Sequence, residues 1–255
     1  MAGVPVPHRP GLRSLGIMIS SEAKMVARDT AGLVVPLGMP LLALLTTASA
    51  ATGEILVDGL TALELFVMPL VIALVMALIG IVNMPSFLAS YRRTGVLRRL
   101  ALTPASPMRV LLAQVVVSAL QALLGIGLAL GAAAVFFDLR APAHWETAMA
   151  VGGLALLAMY SVGMFVAAIA PTPNSAVAIG LVFFFAFGTL GGLFGGRQAL
   201  PDALADVGGV LPFGAAIDGL AAAWAGQPIA PEILISLAVT LVVGATGAAI
   251  LFRWE

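Results

Sequence analysis

The chain has 255 residues, 61% of them hydrophobic and 9% charged, with a mean hydropathy of +1.12. A soluble domain carries about 25% charged residues, so this chain cannot cover itself in water and lipid must be its main solvent. Twelve basic and twelve acidic residues cancel, so net charge gives no argument for a nucleic-acid partner, which would need a basic patch. The absence of cysteine excludes disulfides, thiolate metal sites and a thiol nucleophile.

The expected class is an all-α membrane protein, a single transmembrane domain over residues 1–255. Residues 11–29 interleave Leu12, Leu15, Ile19, Met25 and Val26 with Arg13, Glu22, Lys24 and Arg28, the spacing of an amphipathic helix in the headgroup region; an unstructured basic tail is the other reading. The first long apolar run begins near Ala31, too far along for the short apolar region of a signal peptide, so this segment is expected to be retained. A bilayer core takes roughly 20 apolar residues per helix. Spans are expected at about 31–53, 63–90, 108–137, 147–170, 174–196 and 231–252. Pro36 and Pro40 sit inside the first, and Pro171-Thr172-Pro173-Asn174 turns the fourth into the fifth. The apolar stretch from Val207 to Ile217 is too short to cross and carries Gly208, Gly209, Pro212 and Gly214, which suits a re-entrant piece or a plain loop.

Charge sets the expected orientation. With the N-terminus inside, the cytoplasmic pieces hold Arg9, Arg13, Lys24, Arg28, Arg92, Arg93, Arg98, Arg99, Arg109 and Arg253, and the outer pieces only Arg140 and Arg197. Glu54, Asp58, Glu64, Asp138, Glu146, Asp202, Asp206, Asp218 and Glu232 all fall outside. This is a positive-inside pattern with both termini in the cytoplasm. Lys24 is the sole lysine; with the abundant Ala and Gly, this points to a GC-rich bacterial genome and so to a bacterial plasma membrane.

Several chemistries drop out. A phosphate-binding loop needs a lysine after glycine, and Lys24 follows Ala23. His8 and His144 lie outside the spans, so neither a nucleophile with its base nor a histidine metal cluster forms within the bilayer. Ionisable groups near mid-membrane, the usual mark of ion-coupled transport, are missing from the span centres. Energy is expected from outside the membrane.

The loop after the second span carries the most information. Leu97 and Leu100 stand at i, i+3 with Val96 beside them, one apolar face on a short helix flanked by Arg92, Arg93, Arg98 and Arg99. Thr103-Pro104 ends it, and Ser106-Pro107 opens the third span as N-cap and first residue. A loop that merely anchors by positive charge would need no such order. The segment RRTGVLRRLALTPASPMRVLLAQ resembles the coupling-helix signature of type-2 ATP-binding-cassette (ABC) exporter permeases.

That resemblance covers the whole chain. It implies a connecting helix ending in the pair Arg28-Asp29, a coupling helix over 92–104 and an outer re-entrant segment at 197–227. It assigns contact with a cytoplasmic ABC ATPase to Arg92, Arg93, Gly95, Leu97, Arg98, Arg99, Leu100, Thr103 and Pro104. ATP and Mg would then sit on that ATPase, with no cofactor on this chain, and a second permease subunit would complete a homodimer. Many members of the family carry glutamates where this chain has Tyr91, Arg93 and Arg98, which implies an unusually acidic groove on the ATPase.

The spans say less about cargo. Gln114, Ser118 and Gln121 form a polar stripe at i, i+4, i+7, either interhelical packing or hydrogen bonds for a headgroup. The fifth span holds Phe183, Phe184, Phe185 and Phe187 and then Gly188, Gly191, Gly192, Gly195 and Gly196; the spacing Gly188–Gly192–Gly196 permits close helix contact. In the resembled family the second and fifth spans line the path, which nominates Phe66, Met76, Asn83, Phe183, Phe184 and Phe187; lipid-facing aromatics with packing glycines are the alternative. Such an apolar path suits a hydrophobic drug, antibiotic or lipid. With two Tyr and three Trp, the chain suits a polysaccharide less well. A membrane scaffold without a path is the reading from a different class.

Overall fold

The structure, a computed structural model, describes residues 12–50, 55–57, 59–95 and 107–251. A surface helix α1, Leu12–Arg28, leads into α2, Thr30–Ala50. A short antiparallel pair, β1 Ile55–Val57 and β2 Leu60–Thr61, leads into α3, Leu63–Arg93. Then come α4, Pro107–Phe137, α5, Trp145–Ile169, and α6, Pro173–Leu190. Two short helices, α7 Asp202–Val210 and α8 Pro212–Trp224, precede α9, Pro231–Leu251. Among the described residues six helices, α2 to α6 and α9, are long and apolar enough to cross a bilayer.

α3 is the most buried of the six, and its sequence explains how it stays continuous. Pro69 and Pro85 each fall at the second residue of an α-helical stretch. Each is preceded by a π-helical segment, Leu63–Val67 or Leu78–Asn83. Proline removes an N–H and presses its ring on the carbonyl four residues back, here Leu65 and Ile81. Widening the turn before each proline relieves that pressure, so α3 runs on for 31 residues, about 46 Å at the α-helical rise. That exceeds the roughly 30 Å hydrocarbon core.

Lipid is as apolar as leucine, so helices in a bilayer associate through close packing and polar contacts rather than hydrophobic burial. Both are visible around α3. A Cβ on Gly163 of α5 would overlap the Gly80 carbonyl oxygen, and one on Gly180 of α6 would lie 2.5 Å from the Ile81 oxygen. On the other side, the Gly32 carbonyl of α2 accepts from Gln121 Nε2 of α4 at 2.7 Å and from Asn83 Nδ2 of α3 at 2.8 Å. Asn83 Nδ2 also donates to Gln121 Oε1 at 3.2 Å. Gln114 and Ser118 are buried as well, 3.4 Å apart. The polar stripe of α4 therefore packs inside the protomer and is closed to a headgroup.

At the end of the bundle away from α1, the polar groups hold the connections. Glu64 takes a hydrogen bond from the Thr61 N–H at 2.9 Å and binds the Thr61 hydroxyl. Arg140 donates to the Gly59 carbonyl at 2.6 Å, and Trp224 Nε1 donates to the Arg140 carbonyl at 3.0 Å. Arg197 pairs with Asp218 of α8 at 2.5 Å. α7 and α8 meet at 80°, so the stretch from 197 to 227 is a bent helical pair and no plain loop.

The fifth span is shorter than expected. α6 stops at Leu190, and Gly192, Gly195 and Gly196 have φ of +99°, +98° and +83°, values that only glycine adopts without strain. Gly192 and Gly196 belong to a turn, and the expected Gly188–Gly192–Gly196 helical stripe does not form. The turn before α6 is as read: Thr172 and Ser175 cap each other's backbone N–H, with Pro173 at the first helical position.

Candidate functional site

The root of the loop after α3 is tied to two other elements, α1 and α5. Tyr91 donates its hydroxyl to the Glu22 carboxylate of α1, and the same oxygen lies 3.8 Å from the Met25 sulfur. Arg92 donates to the carbonyl of Ala170 at the C-terminus of α5, where a cation also meets the negative end of the helix dipole. Thr94 closes the helix by donating to the Ser90 carbonyl at 2.9 Å. Gly95 then turns the chain with φ +69°. Arg93 is exposed. Leu97, Arg98, Arg99, Leu100, Thr103 and Pro104 lie outside the described residues.

Tyr91 corrects one expectation. It is buried against Glu22, so it faces α1 and cannot meet an acidic groove on another subunit. Glu22 is the residue that sequence reasoning missed. Burial raises its carboxyl above the usual range, with the Tyr91 hydroxyl offsetting part of the rise. One signal was readable: Ile19, Glu22 and Val26 stand at i, i+3, i+7, which puts Glu22 on the apolar side of α1.

At the junction of α1 and α2, Arg28 is exposed while Asp29 is half-buried. The Gly32 N–H donates to Asp29 Oδ1 at 3.1 Å, so the carboxylate caps the first turn of α2 and offsets its positive dipole end.

The six residues nominated for a path are divided among three places. Phe66, 50% exposed, and Asn83 line separate hollows on the side of α3 between α2 and α6 with its following turn, a side that is the protomer's trough. The trough holds one hollow of about 210 Å³ beside Asn83, Gly32 and Val177. A second of about 370 Å³ lies beside Phe66, Thr47 and Gly192. Met76 and Phe184, each 1% exposed, are sealed in the core of the protomer, because they lie on the faces that α3 and α6 turn to their neighbours. Phe183 and Phe187 line a third hollow, about 360 Å³, with Phe165 of α5 and Val243 of α9. The phenylalanine run thus points to several sides of α6, as four aromatics within one and a half turns must.

The comparisons with known proteins enter here. Neither a curated protein nor a solved structure matches the chain. A family model, described as ABC-2 type transporter, matches residues 13–224, a range that takes in α1, the first five spanning helices, the loop after α3 and the bent pair α7–α8. With most of its length matched, and with six apolar helices long enough to span, the chain belongs to the ABC-2 type transporter family as a multi-pass membrane permease component.

Proposed function

We propose that this chain is one of two identical permease subunits of a bacterial ABC exporter, moving a hydrophobic drug, antibiotic or lipid out across the plasma membrane. A separate cytoplasmic ATPase, holding ATP and Mg, docks on the segment 92–104 and drives the cycle. The α1 end faces the cytoplasm, as its excess of arginine requires.

The observation that carries this is the anchoring of the loop's root. A push on the segment after Arg93 acts at once on α1 through Tyr91–Glu22, on α5 through Arg92, and along the whole of α3. A loop serving only as a charged anchor needs none of these ties. α3 is one continuous helix and the most buried of the six, so displacing its end moves its neighbours with it. Two discrete arrangements of two such bodies give alternating access. The trough, with Phe66 exposed and the Gly-rich turn after α6 at one end, is the surface offered to cargo between protomers.

Arg98→Glu with Arg99→Glu tests the coupling. Co-expressed with its ATPase, the double variant should still fold and bind membranes, but ATPase stimulation and export should be lost. Unchanged transport sinks the coupling role. If no ATPase copurifies with the wild-type chain, the scaffold reading takes its place.

A further inference from the structure

We infer that the hollow between α2 and α3 at the α1 end is a binding site for a primary ammonium group carried on an apolar chain. This deepens the assignment of the trough as a substrate path, and rests on it, by naming the chemistry of the cargo's head.

Three residues with side-chain oxygens, Asp29, Asn83 and Ser86, line it. Asp29 spends Oδ1 on the Gly32 N–H, leaving Oδ2 without a partner among the described residues. Asn83 is 8% exposed, and its amide orientation is set by directional bonds. Its Nδ2 donates to two acceptors, the Gly32 carbonyl and Gln121 Oε1, while Gln121 Nε2 donates to that same carbonyl. A flipped Asn83 would set oxygen against two oxygens, so Oδ1 must point the other way. It accepts no hydrogen bond among the described residues and faces the hollow. Ser86 donates to the Asn83 carbonyl at 2.7 Å and keeps its own lone pairs to accept.

Asp29 Oδ2 and Asn83 Oδ1 converge on the space above Gly32. A Cβ there would collide with the first and lie 3.0 Å from the second. Asp29 brings a full negative charge against roughly half a positive charge at the N-terminus of α2, so the site attracts cations on balance.

The donor count selects the ligand. A calcium ion takes 6–8 oxygens and magnesium a near-ideal octahedron, so either would have to keep most of its waters in a hollow whose other walls are mostly apolar. Quaternary ammonium is recognised by aromatic rings, and this hollow has none. A primary ammonium has three N–H donors and no acceptor; Asp29 Oδ2 and Asn83 Oδ1 can take two of them, and Ser86, which also lines the hollow, has an Oγ lone pair for the third. The remaining walls include Val35, Leu78, Val82 and Val177, which suit an alkyl chain leaving toward the bilayer.

The test is binding of tritiated dodecylamine to the full-length chain, purified without its ATPase in detergent micelles. The expected result is saturable binding that falls about tenfold or more in Asp29→Asn, since a charge-assisted hydrogen bond is lost. Gly32→Ala, whose methyl would push Asp29 Oδ2 from its place, should fall as far; thermal unfolding of both variants without amine confirms that they fold. Dodecyltrimethylammonium, with no N–H, should compete about tenfold more weakly or worse. Wild-type affinity in a folded Asp29→Asn, equal competition by the quaternary amine, or binding that never saturates overturns the site. Phosphatidylethanolamine added to the micelles separates two sources of the same chemistry: displacement of dodecylamine identifies a lipid headgroup, and no displacement a single-chain amine. The assay involves no ATPase, so amine binding that persists while Arg98→Glu with Arg99→Glu leaves transport unchanged refutes the coupling alone. Failed binding alongside intact coupling refutes the ammonium site alone.

Discussion

Glu22 and Tyr91 stand 69 residues apart and share one buried hydrogen bond. Tyr91→Phe keeps the ring and strands the carboxylate, which should cost about 1–3 kcal/mol; a lower midpoint in thermal unfolding of the purified chain is the readout. The same pair sets a pH dependence. Burial lifts Glu22 above its ordinary value of 4.5, so the folded state holds that proton more tightly than the unfolded chain does. The resulting stability is fully present below 4.5 and is lost as the pH climbs through the raised value. Glu22→Gln should flatten the thermal midpoint across this window, whereas wild type falls with rising pH. An identical slope in both proteins removes Glu22 as the titrating group.

Among the elements, α3 shows how local sequence and packing answer each other. Its prolines call for wide turns, and the second of these, Leu78–Asn83, falls where Gly163 and Gly180 bring α5 and α6 against the Gly80 and Ile81 carbonyls. Gly163→Ala should cost about 1–3 kcal/mol by overpacking, read as a lower unfolding midpoint. Gly152→Ala, on the same helix with open space around it, should gain slightly from helix propensity. Equal effects at the two positions would mean that the α3–α5 contact is not close. The spans themselves were legible in residues, because unbroken apolar length is a direct measure of bilayer thickness. The end of α6 was not, since a glycine run is compatible with both a packed helix and a turn until backbone signs are known.

For the whole molecule, the trough between α2 and α6 is one side of a protomer whose α9 face lies elsewhere, against α5 and α8. If a second copy covers the trough, Met39→Cys on the exposed face of α2 should crosslink to itself in membranes. Val243→Cys, on α9 and at 65% more exposed than Met39 at 42%, should not. The cysteine-free background makes each variant a single probe. Crosslinking at Val243 without Met39 would move the interface to the other side.

Residue order alone determined that this chain lives in lipid, how many helices can span it, where charge gathers and which loop resembles a coupling helix. These follow from apolar length and the cost of charge, both of which add up along the chain. It could not say that Met76 and Phe184 are sealed, that Phe183 and Phe187 turn from Phe66, or that Asn83 aims an oxygen over Gly32. In a bilayer every apolar face is equally content, so the choice of neighbours falls to small residues and a few polar contacts. Those meet across dozens of residues, and only the packed bundle decides which of them touch.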